Sequence, residues 1–244
     1  MGRKGPTRHM KRPLSPTFWP IHRKEKVWAV KTSPGGHGAK VSTPLLVIVR
    51  DFVGYAKTAK EARLIIKQGK ILVDGKPRID VRYPVGLMDV VSLPDADETY
   101  RILPEHGGRF VLHPIKGAER GFKLCQIVGK STVKGGKTQL NLHDGRNLLL
   151  EDDREHYAVH DILKLNILDQ EVEEHIEFKP GVRVIITGGR SQGTSGILLG
   201  LSSETGGKRT ATVRTAANDD VRTLTDYVFA VGTEAPIISL PGGE

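Results

Sequence analysis

The sequence has a single cysteine, Cys125, so it can form neither an internal disulfide nor a cysteine-paired zinc site, and a reducing, cytosolic setting is the natural expectation. Long apolar runs are missing. The longest, LLVIV at 45–49 and YVFAV at 227–231, are five residues each, against the roughly 20 that a membrane helix needs. The start has no apolar stretch of a secretory kind, and Pro6, Pro13, Pro16 and Pro20 would break the amphipathic helix of an organellar transit peptide. Aromatics are scarce at 5% while glycine reaches 28 of 244 residues, which suits several small, turn-rich units better than one thick core. Acids are nearly absent from residues 1–40, where ten Lys and Arg face Glu25 alone. The remainder carries 27 basic and 27 acidic residues, so the whole net charge of +9 lies in this segment. A basic arm on a neutral body points to a polyanion, nucleic acid before a membrane surface.

Catalytic signatures are also lacking. GGKT (135–138) and GKS (129–131) echo the end of a phosphate-binding loop, but the glycine required five positions earlier is Ser131 in one and Leu124 in the other. His156 and His160 have i, i+4 spacing in HYAVH without the glutamate of a zinc-protease helix or an evident third ligand. The acids EDD (151–153) and NDD (218–220) read as solvated turns rather than as ion sites. No cofactor, metal, small-molecule substrate or membrane partner is expected.

What is present divides into four parts. Residues 1–43 form a basic extended arm with five prolines in its first 34 positions and too little apolar surface to fold alone; Phe18, Trp19 and Trp28 within it imply docking onto something. Residues 44–106 read as a small α+β unit. Thr43 is a candidate cap for a first helix with Pro44 at its first position, followed by Leu45, Ile48, Val49 and Phe52 at helical spacing, although Val47–Val49 also has strand character. Thr58 and Glu61 form a capping box for a second helix. Ala62, Ile65, Ile66 and Gly69 lie on one face of it, and Lys60, Arg63, Lys67 and Lys70 fall within about 80° on the other. Gly69 suits a left-handed C-terminal cap, and Asp74-Gly75 is a type I′ hairpin signal. Residues 107–176 read as a central β domain, with a hairpin tipped by HDGR (143–146). Residues 177–244 read as a second β unit in which a glycine loop separates two strands. The fold class expected is α+β, mostly β, ending in two small barrel-like domains.

A basic helix face opposite an apolar one is usually just solvated. Here like charges recur at i, i+3 and i, i+4 without an acid among them, and Lys57, Lys76 and Arg78 add to them. Such a face is destabilised until a counter-charge arrives, which favours phosphate contact.

The stretch TAKEARLIIKQGKILVDGKPRIDVRYPVGLMDVVSL (58–93) resembles the alpha-L, or S-four, RNA-binding domain, through Ala62-Arg63, Gly69, Val73-Asp74-Gly75 and Asp89-Val90-Val91. KPGVRVIITGGRSQGTSGIL (179–198) resembles the KOW motif, with Gly189, Gly193, Gly196 and Ile197. Thr194 stands where that family often has a basic residue, leaving Arg190 as the better RNA contact. The arm's order, a Gly-Pro, a His-basic cluster, Pro near Trp, a second Trp and SPG-x-H, completes a resemblance over nearly the whole chain to the archaeal and eukaryotic small-subunit ribosomal protein S-four-e family. The length leans towards an archaeal member. AVHDIL (158–163) departs from that family in having His160 where Gly is commoner, with an altered turn expected.

The resemblance implies a structural, non-enzymatic, cytoplasmic component of the small ribosomal subunit, with small-subunit rRNA and neighbouring ribosomal proteins as partners. RNA contacts are then expected from Arg3, Lys4, Arg8, Lys11, Arg12, Arg23, Lys24, Lys26, Lys31, His37 and Lys40 of the arm, from Lys57, Lys60, Arg63, Lys67, Lys70, Lys76 and Arg78, and from Arg190. Trp19 and Trp28 either stack on bases or riboses or anchor the arm on the protein's own β domains. The alternative readings are an RNA-modifying enzyme targeted by its S-four unit and a KOW-containing transcription factor.

Overall fold

The structure, a computed structural model, describes residues 9–22, 24–150, 157–202 and 209–241. Three five-stranded antiparallel sheets and two short strand pairs carry the chain, with little helix. Arg3, Lys4, Arg8, Arg23, His156 and the acids at 151–153 lie outside the described residues.

Leu45–Val47 makes one α-helical turn, α1, which continues as a π-helical turn over Ile48–Phe52. Thr43 does not cap it. A residue before proline is pushed to extended backbone, and Thr43 pairs with Val85 in a two-residue strand, leaving Pro44 at the cap position without a side-chain bond. Helix α2 (Ala59–Lys67) starts as its capping box requires. The Glu61 N–H donates to Thr58 Oγ1 at 3.2 Å, and Glu61 Oε2 accepts from the Thr58 and Lys57 N–H groups at 3.3 and 2.9 Å. Thr58→Ala should therefore lower stability by about 1 kcal/mol while Thr58→Ser keeps most of it, read by denaturant melts of both variants. Ala62 and Ile66 are fully buried against the core, and Gly69 ends the helix with φ +72°.

The first sheet follows. Strands β1 (Leu72–Val73) and β2 (Lys76–Pro77) are joined by Asp74 and Gly75, both at positive φ as a type I′ turn demands. With β3 (Val90–Leu93), β4 (Glu98–Glu105) and β5 (Arg109–Pro114) the order is β2-β1-β3-β4-β5. Glu105 pairs with Arg109, so the β4–β5 hairpin straddles the boundary expected at 106 and this sheet runs on to Pro114.

The second sheet is ordered β8-β7-β6-β9-β10, from β6 (Phe122–Thr132), β7 (Thr138–Leu142), β8 (Asn147–Leu149), β9 (Ile162–Asn166) and β10 (Val172–Ile176). Strand β6 pairs with β9 through its first half and with β7 through its second, with a bulge between Ile127 and Gly129. The bulge bends the long strand and coils the sheet. The third sheet, β14-β13-β12-β11-β15, is built from β11 (Arg183–Ile186), β12 (Ser195–Ser202), β13 (Thr210–Thr215), β14 (Asp220–Leu224) and β15 (Val228–Gly232). After a 3-10 turn at Thr225–Tyr227, the last strand returns to pair with the first.

The three sheets are not beads on a string. Met88 and Leu103 of the first unit, Phe122, Leu124, Ile162 and Ile176 of the second, and Val184, Ile186, Val213 and Phe229 of the third share one apolar core. A separate core under α1 and α2 contains Leu45, Ile48, Ala62, Ile66, Val73 and Ile102. At AVHDIL the chain turns through His160. His160 itself takes φ +78°, and its N–H donates to Ile127 O at 2.9 Å. Holding a side chain in the conformation that favours glycine costs roughly 1–2 kcal/mol.

Candidate nucleic-acid interface

On α2, Lys60, Arg63 and Lys67 are exposed and form no ion pair among the described residues. Glu61 does not neutralise them. Its carboxyl is held below the usual range, chiefly by the Lys57 N–H, because it is occupied in capping the helix. Lys57 is exposed beside this face. Lys70 differs from the sequence reading. The helix stops at Lys67, so Lys70 lies past the cap and pairs with Asp95 at 2.7 Å. The long separation between these two residues hides that pair from any helical wheel. Lys76 is exposed on the β1–β2 hairpin, and Arg78 lays its guanidinium 4.4 Å from the Tyr83 ring centroid. Arg190 is exposed in the glycine loop between β11 and β12.

The described part of the arm is folded onto the first unit. Met10–Lys11 pairs with Trp28–Ala29. Trp28 is 58% exposed, with Lys11 Nζ 6.0 Å from its ring centroid and the His9 ring edge-on at 5.8 Å. A groove of about 660 Å³ runs alongside, lined by Lys11, Arg12, Lys24 and Lys26 with Pro13 and Val27. Within it the Arg12 guanidinium is already engaged, donating to Ile21 O at 2.8 and 2.6 Å and to Ser15 Oγ at 2.9 Å. Lys26 sits 3.6 Å from Glu25. Lys40 is exposed and Lys31 half-buried.

Two of the residues expected to contact RNA are turned inward. Trp19 is only 2% exposed. It packs with Ile21 against Val47 of α1 and donates from Nε1 to Ser42 O at 3.1 Å, so it anchors the arm. Its partner is the helical unit, not a β domain. His37 is buried, with Nε2 2.9 Å from Asp89 Oδ1, and is likewise turned inward. A bulky apolar ring is more stable against the core than in water, and composition alone does not tell an anchor from a stacking platform.

His37 leads into a polar centre that the sequence reading missed. Lys123 Nζ, 1% exposed, lies 2.5 Å from Asp89, 2.8 Å from Asp74 and 3.0 Å from Asp144. Arg146 reaches the same acids, with Nη2 2.7 Å from Asp74 Oδ2 and Nε 3.2 Å from Asp144 Oδ2. Three segments thus meet: the arm, the first unit and the central sheet. Burial alone would raise the Asp89 and Asp144 carboxyls, but Lys123 overcomes it, holding Asp89 well below the carboxylate range and Asp144 at about 2. Burial would likewise strip the proton from Lys123, yet Asp89 and Asp74 keep it well above the usual lysine value. The neighbouring His143 is pushed down to about 4, by burial and then by Lys123. Its Nδ1 accepts from the Gln126 N–H at 3.1 Å while Nε2 faces Leu87 O at 3.2 Å, the pattern of a neutral ring. A lysine inside the apolar run of β6 was the available clue.

These features recur in known proteins. Three family models match: the RS4NT (NUC023) domain over residues 4–40, the S4 domain over 43–91 and the ribosomal family S4e over 96–172. The chain is 49% identical over 238 residues to the small ribosomal subunit protein eS4 of Methanothermobacter thermautotrophicus, covering 97% of both chains. It is 46% identical over 250 residues to that of Aeropyrum pernix, covering 100% of this chain and 99% of the relative. The crystal structure of the 30S ribosomal protein S4e from Thermoplasma acidophilum superposes with a TM-score of 0.67 at 29% identity, over 79% of this chain and 95% of that one. With the arm, the S4 unit and the central sheet each matched in order, the chain belongs to the ribosomal S4e family.

Proposed function

We propose that this protein is a non-enzymatic structural constituent of the small ribosomal subunit, which binds and stabilises small-subunit rRNA beside neighbouring ribosomal proteins. The observation that carries the reading is the bare basic face of α2, Lys60, Arg63 and Lys67, on a chain that matches small-subunit proteins end to end. Exposed Lys and Arg bind phosphates by releasing counterions, and such a face relieves its own repulsion by doing so. Lys57 and Lys76 extend it, and Lys70 contributes if RNA displaces Asp95. In the arm, Lys11, Lys24, Lys26, Lys31 and Lys40 supply charge, Arg12 shapes the groove, and Arg3, Lys4, Arg8 and Arg23 continue the basic run. Arg190 is the contact assigned to the KOW-like unit.

Trp28 is the stacking residue in this reading. Its ring is presented beside a groove rich in lysine, the combination that single-stranded nucleotides occupy. Trp28→Ala should weaken binding to small-subunit rRNA by about 1–3 kcal/mol and leave the melting temperature unchanged, measured by filter binding and calorimetry.

The test of the whole reading is sedimentation of a native lysate on sucrose gradients at low and moderate salt. Co-migration with the small subunit at both supports it. A chain that stays at the top of the gradient at low salt refutes it.

A further inference from the structure

The polar centre opens to solvent through a cleft of about 300 Å³ between the Asp74-Gly75 turn and the Asp144-Gly145 turn, with the arm at Gly36 and His37 as its third wall. Four cations, Lys76, Arg78, Lys123 and Arg146, face three carboxylates there, Asp74, Asp89 and Asp144, leaving one positive charge in excess.

The hydrogen-bond ledger of the cleft is one-sided. All six carboxylate oxygens are taken. Asp74 Oδ1 accepts from the Val90 N–H, and its Oδ2 accepts from Lys123 and Arg146. Asp89 Oδ2 accepts from the Gly86 N–H, and its Oδ1 from Lys123, with His37 Nε2 beside it. Asp144 Oδ1 accepts from the Arg146 N–H, and its Oδ2 faces Lys123 and Arg146. The donors, by contrast, are not used up. Arg146 Nη1 and Arg78 Nε are both buried without a hydrogen-bond partner among the described residues. Buried polar atoms in native proteins are nearly always satisfied, by water or a ligand where not by protein. The Arg78 plane is fixed by Tyr83. A cation entering this cleft would meet an excess of positive charge and carboxylate oxygens each already engaged, whereas an acceptor-only group would find guanidinium donors without partners. Planar, bidentate donors match phosphate oxygens.

We propose that this cleft is a phosphate-binding site in which Arg78 from the first unit and Arg146 from the central sheet hold one phosphate group, with Lys76 at the rim. Its assignment to an RNA backbone phosphate rests on the rRNA reading above. The same oxygens could come from free phosphate ion, and the two sources are separable.

The first experiment follows the arginine Nε–Hε resonances of the full ¹⁵N-labelled chain while inorganic phosphate is added, with sodium chloride at matched ionic strength as reference. The expected result is a saturable shift of Arg78 and Arg146 with phosphate beyond that with chloride. Arg78→Gln should abolish the Arg146 response with at most a small fall in melting temperature, because Arg78 has no ion pair to lose among the described residues and gives up its contact with the Tyr83 ring. Equal responses to the two salts overturn the site. The second experiment measures binding to small-subunit rRNA against salt. A slope lower by about one in Arg78→Gln assigns the phosphate to the RNA backbone. An unchanged slope with the phosphate shift intact overturns the RNA assignment and makes the ligand free phosphate. A chain that co-sediments with subunits yet shows no phosphate-specific shift defeats this inference alone.

Discussion

Lys123→Met should destabilise the protein by roughly 3–5 kcal/mol, because it leaves three buried carboxylates without their shared cation. For a chain of this size that is a fall in melting temperature of roughly 6–20 °C. Methionine fills the volume of the lysine stem, so the loss reports charge and not a cavity. The pH dependence identifies the cause. In the wild type Asp144 is held at about 2, below its unfolded value, so its contribution is complete above that unfolded value and fades as pH falls through about 2. His143, held at about 4 by burial and by Lys123, binds its proton more weakly folded than unfolded, so the wild type also loses stability as pH falls from neutrality towards 4. Without Lys123 the burial of Asp89 and Asp144 is unopposed by its charge, and their pKa values rise. The folded variant then binds protons that the unfolded chain does not, and the depression of His143 is eased. The gap between variant and wild type should narrow from pH 7 to pH 5. A gap that stays constant would mean that the acids stay ionised without Lys123, held by Arg146 and by the backbone N–H groups they accept from, and that unopposed burial of charge is not the cause of the loss. Asp89→Asn in the same background should cost less than it does alone, since the two residues are in direct contact.

How much of this was legible beforehand differs by scale. The local chemistry of the S4 unit could be read directly. Thr58 and Glu61 cap each other, Gly69 turns the chain, and Asp74-Gly75 makes the hairpin, because each depends on neighbours three or four residues away. What could not be read were the long-range pairings. Asp95 meets Lys70 across 25 residues, and Asp74 meets Lys123 across 49. Asp74 looked like a turn residue and is one, yet its side chain also anchors the junction between the first unit and the central sheet. The same limit explains the two arm tryptophans. Trp19 and Trp28 occur in similar basic, proline-rich surroundings, and only the position of Val47 decides that the first is covered and the second bare. The candidate surface was therefore visible as composition, while the assignment of each residue to solvent, to the core or to an internal pair needed the fold.

Changing Lys60, Arg63 and Lys67 together to Glu should abolish incorporation into small subunits while leaving the fold intact. The three side chains are exposed and unpaired among the described residues, and surface changes of this kind alter stability by roughly 0.5 kcal/mol or less each. The capping box and the buried Ala62–Ile66 stripe are untouched, so circular dichroism and melting should match the wild type. The effect on RNA is of another size, because each substitution both removes a phosphate contact and adds a repulsion. The neutral version, with Gln at all three positions, separates these contributions. If each cation neutralises one phosphate, the slope of log affinity against log salt should fall by about 2–3 for small-subunit rRNA. An arm-only mode of binding predicts the opposite pattern, in which the slope is unchanged by the α2 variants and collapses when Lys11, Lys24 and Lys26 are neutralised. Should the Glu variant enter subunits normally, the α2 face would be a solvated surface and the arm would carry the binding. A reduced slope with a normal melt would place RNA on the face that has no protein partner of its own.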